Sequence, residues 1–77
     1  MKIQLRFFGQ LAEIAGVSHL EVMDIYDTHS LIKKMGEDYP KLNTCKFLVS
    51  VEKKIIKENI ELESGNEVAF LPPFSGG

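Results

Sequence analysis

Seventy-seven residues make one small domain and leave no room for a second. The chain is 44% hydrophobic and 26% charged with a net charge of −2, an ordinary globular balance without the basic excess of a nucleic-acid binder. Cys45 stands alone, so no internal disulfide can form. A reducing, cytoplasmic setting is expected, with no signal-peptide core at the N-terminus and no run near the ~18 apolar residues of a membrane span.

Ile3, Leu5 and Phe7 alternate with Lys2, Gln4 and Arg6, the period of two of a half-buried strand. The same alternation turns Phe8 outward, and Gly9 ends the strand. Leu11, Ile14 and Ala15 follow at helical spacing, with Gly16 as the residue that closes a short helix. A second strand runs from His19 to Ile25, its pattern blurring at Met23-Asp24-Ile25. Thr28 is read as the N-cap of the main helix, whose apolar stripe is Leu31, Ile32, Met35 and Tyr39. Gly36 should weaken that helix by about 1 kcal/mol relative to Ala, and Pro40 ends it by forcing Tyr39 out of the helical region.

Phe47 to Val51 reads as a third strand. Glu52-Lys53-Lys54 is a turn candidate without the usual Gly or Asn, and Ile55-Ile56 a brief returning strand with Ile55 outward. Ile60 and Leu62 are expected to anchor an otherwise polar stretch, and Ser64-Gly65-Asn66 to make a tight turn. In the last strand Val68 and Phe70 point inward, which leaves Leu71 outward. One mixed sheet on one main helix is an α+β arrangement, a roll of the ubiquitin-like kind. Its first and last strands would lie parallel and adjacent in the middle. Residues 1–71 form the roll, and 72–77 a flexible tail.

Pro72 and Pro73 fix two successive φ angles near −65° and favour an extended exit. Phe74 and Ser75 follow, then Gly76 and Gly77, which carry no side chain and could pass a narrow gap. Seven extended residues would project the carboxylate of Gly77 by roughly 20 Å. A stiff stalk, a thin tip and a terminal carboxyl suit a group that enters another protein's active site.

Catalytic constellations are not apparent. His19, His29 and Cys45 lack metal-ligand spacing, the glycines form no phosphate-cradling loop, and Glu61, Glu63 and Glu67 read as a solvated edge. No catalytic residue, metal or cofactor is expected. Phe8, Ile55 and Leu71 instead point outward from strands expected to be neighbours, an apolar patch of the kind that marks a partner site.

The run Gly65-Asn66-Glu67-Val68-Ala69-Phe70-Leu71-Pro72-Pro73-Phe74-Ser75-Gly76-Gly77 resembles the C-terminus of MoaD-type small subunits of molybdopterin synthase. Leu5-Arg6-Phe7-Phe8-Gly9-Gln10-Leu11-Ala12-Glu13-Ile14-Ala15-Gly16 resembles that family's first strand and helix, whereas residues 44–63 match only in pattern. Asn66, where an acidic residue is common, and the Glu52–Lys54 turn depart from it. The resemblance implies a β-grasp fold and a sulfur-carrier role. Gly77 would be adenylated by an ATP-dependent, MoeB-type activating enzyme and converted to a thiocarboxylate. It would then donate sulfur to cyclic pyranopterin monophosphate within a MoaE-type large subunit, in a heterotetramer whose large subunits hold the catalytic groups. Phe8, Ile55 and Leu71 sit at places matching the family's partner surface. A carrier for thiamine or cysteine synthesis and a ubiquitin-like protein modifier are the alternative expectations.

Overall fold

The computed structural model describes residues 1–73, so the expectations for Phe74, Ser75, Gly76 and Gly77 lie outside the described residues. The elements in chain order are β1 (Lys2–Phe7), α1 (Gln10–Ala15), β2 (His19–Met23), α2 (Thr28–Asp38), a 3-10 helix (Pro40–Thr44), β3 (Leu48–Val51), β4 (Lys54–Ile56) and β5 (Glu67–Leu71). They build a five-stranded sheet in the order β2-β1-β5-β3-β4. Only β1 and β5 run parallel, side by side at its centre, and every other pairing is antiparallel. A parallel pair needs a crossover, and here everything between the first and last strands supplies it.

The period-two residues do what the pattern demands. Ile3, Leu5 and Phe7 of β1 join Val68 and Phe70 of β5, Val22 and Val49 beneath Leu31 and Met35 of α2. Phe70 is the hub of the core: Phe7 meets it edge-on at 5.5 Å and Phe47 stacks on it at 4.7 Å between ring centres. Such pairings contribute about 0.5–1.5 kcal/mol beyond their buried area. Regular pairing on β3 begins at Leu48, one residue after the expected start.

Several local expectations change. Helix α2 is capped by Asp27, whose carboxylate accepts from the Ser30 amide at 3.1 Å. Thr28 is the first helical residue and is buried. Its hydroxyl donates to Asn59 Oδ1 at 3.2 Å and accepts from the Ile60 amide at 3.0 Å. Asp27 and Thr28 are both good caps in sequence; the distant segment 59–60 claims the threonine and leaves the cap to its neighbour. That segment is held by these hydrogen bonds rather than by Ile60, which stays exposed, whereas Leu62 is buried as expected. Strand β2 stops at Met23 because Asp24 turns left-handed, with φ 59°.

Gly36 is buried, and a Cβ there would collide with the side chain of Asn43, whose amide donates to the Gly36 carbonyl at 3.0 Å. The glycine that weakens α2 in isolation lets the 3-10 helix close against it. The β3–β4 turn resolves as a two-residue hairpin with Glu52 and Lys53 both left-handed, φ 49° and 69°, as a type I′ turn requires. The strain is offset from a distance. A Glu52 carboxylate oxygen accepts the Glu67 amide at 2.6 Å, and the Glu52 amide donates back to the Glu67 carbonyl at 2.9 Å.

Candidate docking face and tail root

With α2 covering one side of the sheet, the other side is open, and the strand order decides which side chains meet on it. Phe8, just past β1, is 42% exposed and Ile55 of β4 is 49% exposed, while Leu71 of β5 is half-buried. These residues, drawn from three elements, line one shallow depression together with Ala69 and Ser50, bordered by Arg6, Lys53 and Glu67. Ile56, the inward member of its pair, lies opposite Val49 and packs on the core.

The sequence reading missed Leu48. It lies directly across from Leu71 in the β3–β5 register and is 41% exposed. Counting outward from Val49 and Val51 would have turned it to the open face. Only the pairing of β3 with β5, however, places it beside Leu71.

The polar border is ordered. Arg6 pairs with Glu67 across the parallel strands at 3.3 Å, both half-exposed. Farther from the depression, the Gln4 side chain links His19 at 2.7 Å to Glu21 at 3.0 Å, and Lys2 reaches Glu21 at 3.5 Å. The hydrogen bond from Gln4, and then the charge of Lys2, hold the Glu21 carboxyl below the usual carboxylate range. His19 therefore belongs to a surface network and His29 to the first turn of α2. Among the described residues no group of three His, Cys, Asp or Glu side chains is arranged to hold a metal ion.

At the tail root, the amide of Phe8 donates to the Phe70 carbonyl at 3.0 Å, extending the β1–β5 pairing toward Pro72. Pro72 and Pro73 then pass a depression lined by Gln10, Leu11 and Ile14 of α1 and by Cys45 and Lys46. The Cys45 thiol donates to the Lys41 carbonyl at 3.4 Å. No helix among the described residues is long and apolar enough to cross a membrane. Together these features give an apolar contact face with a charged border, and beside it the point at which the chain leaves the sheet.

Comparison with known proteins places this geometry. A model of the ThiS family matches residues 5–77. The molybdopterin synthase sulfur carrier subunit of Chlamydomonas reinhardtii is 32% identical over 83 residues, covering all of both chains. Among solved structures, a Pyrococcus furiosus protein assigned as molybdopterin converting factor subunit 1 superposes with a TM-score of 0.87 at 19% identity, over 96% of this chain and 99% of its own. The complex of subunits 1 and 2 of the molybdopterin-converting factor from Helicobacter pylori contains a chain matched with a TM-score of 0.76 at 21% identity, over the whole of both. The two structures share the β-grasp fold with this chain, and the match of residues 5–77, together with the full-length relative, shows that the chain belongs to the ThiS family.

Proposed function

We propose that this chain is the sulfur-carrying small subunit of a molybdopterin synthase, with residues 1–71 as the docking domain and 72–77 as the delivery tail. The full-length relationship to a molybdopterin synthase sulfur carrier subunit carries the reading. The apolar face beside the tail root supports it.

A carboxylate is a poor electrophile, so the terminal carboxylate of Gly77 attacks the α-phosphorus of ATP on an activating enzyme of the MoeB type and releases pyrophosphate. A sulfide equivalent then displaces AMP from the acyl adenylate and leaves a thiocarboxylate. Its sulfur is a soft nucleophile that forms the new C–S bond on a carbon of cyclic pyranopterin monophosphate as a C–O bond of that carbon breaks, the oxygen leaving on the phosphate or as water. Water cleaves the bond between sulfur and the Gly77 carbonyl carbon and restores the carboxylate. The groups that catalyse these steps reside on the partners, the activating enzyme and the large subunit of the MoaE type in a heterotetramer. This domain contributes reach and docking. An extended stretch of residues 72–77 spans up to about 20 Å, and Phe8, Leu48, Ile55 and Leu71 supply the apolar contact that holds the tail at the large subunit's pocket.

Incubation with activating enzyme, ATP and a sulfur source, followed by intact mass measurement, tests the proposal. Replacing one oxygen by sulfur adds about 16 Da, a gain expected at Gly77 and lost in a chain truncated before Gly76. A full-length chain that gains no mass under conditions that charge a known carrier refutes it.

A further inference from the structure

The chain leaves the sheet beside the end of β1. Because β1 and β5 are parallel neighbours, the chain leaving Phe7 passes beside the chain leaving Leu71. The turn that takes β1 into α1 is tight: the Leu11 amide donates to the Phe8 carbonyl at 3.1 Å, and Gly9 has φ 57° and ψ −132°. These angles are those of the first central residue of a type II′ turn, a position that glycine dominates. A second and independent reason makes the residue glycine. A Cβ on Gly9 would lie 2.9 Å from Cγ of Pro72, closer than carbon atoms approach. The bare α-carbon is thus a seat for the proline ring.

We propose that Gly9 is a positioning residue for the tail. Its missing side chain seats Pro72 against the β1–α1 turn, and this seat aims the residues that bear Gly77. The inference rests on the carrier reading for its functional consequence, but the seat itself does not. Pro72 is the first residue past β5, so a displaced ring at that point swings everything beyond it. A misplacement of ~1 Å at a reacting group can slow a reaction on the order of 100-fold.

A double-mutant cycle of Gly9→Ala and Pro72→Ala provides the test, since alanine at position 72 removes the Cγ that the new Cβ would strike. Gly9→Ala should slow sulfur transfer at saturating large subunit by ten- to 100-fold, in kcat and not in KM, with the affinity for the large subunit unchanged. In the Pro72→Ala background the same substitution should slow transfer no more than about threefold. Equal slowing in both backgrounds would show that Gly9 acts only on the turn, and an unchanged rate would remove the role altogether.

Should Gly9→Ala not fold, Pro72→Ala alone decides: it empties the seat, and transfer at full kcat would overturn the proposal. A sulfur-free readout keeps the seat apart from the carrier reading. Gly9→Ala should shift the amide resonances of Phe74 and Ser75 in a 1H–15N spectrum, and should not do so when Pro72 is already alanine. Shifts of equal size in both backgrounds would overturn the seat even if the chain carries sulfur. If the coupling appears but no thiocarboxylate ever forms, the carrier reading fails and the seat stands.

Discussion

The open side of the sheet has two halves built from the same alternation to different ends. Across β1 and β2 the outward residues include Lys2, Gln4, Glu21 and His19, tied to one another by hydrogen bonds and an ion pair, with Met23 opposite Lys2. Across β5, β3 and β4 they are Ala69, Leu71, Leu48 and Ile55, with Phe8 alongside. The first half ties its polar groups to one another within the chain and offers a single large apolar side chain, Met23, at its far corner. The second leaves large apolar side chains in water, where their removal from solvent would be worth roughly 25 cal/mol per Å². A sheet face is therefore not one surface, and the strand order decides where along it a partner gains by binding.

Breaking the apolar half should have the largest effect on association. Ile55→Asp or Phe8→Asp is expected to weaken binding to the large subunit by about 30-fold or more, the loss of a central contact worth ~2 kcal/mol. The thermal midpoint should move by only a few degrees. Titration calorimetry and circular dichroism together would check this, and a collapse of the fold would return either residue to the core. Leu48→Asp should cost about tenfold in affinity, near 1.4 kcal/mol, measured the same way; an unchanged affinity would confine the contact to Phe8, Ile55 and Leu71.

A substitution under the sheet supplies the contrast. Gly36→Ala improves helix propensity, yet it should lower unfolding stability by about 1–2 kcal/mol because the new methyl displaces Asn43. Denaturant titration would read that loss, with affinity for the large subunit unchanged. A gain in stability would mean that Asn43 yields freely.

The polar half should respond least. Glu21→Gln is expected to leave binding untouched and to change only the pH dependence of stability. The Glu21 carboxyl is held below its usual range by Gln4 first and Lys2 next. A carboxyl depressed in the folded state stabilises above its unfolded pKa, near ~4.3, and that contribution disappears as pH falls through the folded value. The difference in urea midpoint between the parent and Glu21→Gln should therefore be present at pH 7 and vanish at lower pH. A difference that grows on acidification would reverse the assigned sign.

Much of this was legible in the residues because alternation reports which side of a strand is wet. Ile3, Leu5, Phe7, Val68 and Phe70 could be placed inside, and Phe8 and Ile55 outside, without any knowledge of their neighbours. Leu48 could not be placed beside Leu71, because that contact depends on β3 pairing with β5 across an intervening stretch of chain. Thr28 was misread as a cap because its true partners, Asn59 and Ile60, lie some thirty positions away. Glu52 looked wrong for a tight turn until its carboxylate was found on the Glu67 amide. Ile60 looked like an anchor because apolar character alone does not reveal whether backbone hydrogen bonds already hold a segment.

The amino-acid sequence by itself determined the strands, the main helix, their wet and dry sides and the family likeness of the C-terminal run. Each of these depends on residue type, on period or on short-range sterics, so each is local. Tertiary structure alone decided that Leu48 joins Phe8, Ile55 and Leu71 on one surface and that Gly9 receives Pro72. Both follow from which strands lie side by side, a matter of long-range pairing that neither period nor propensity encodes.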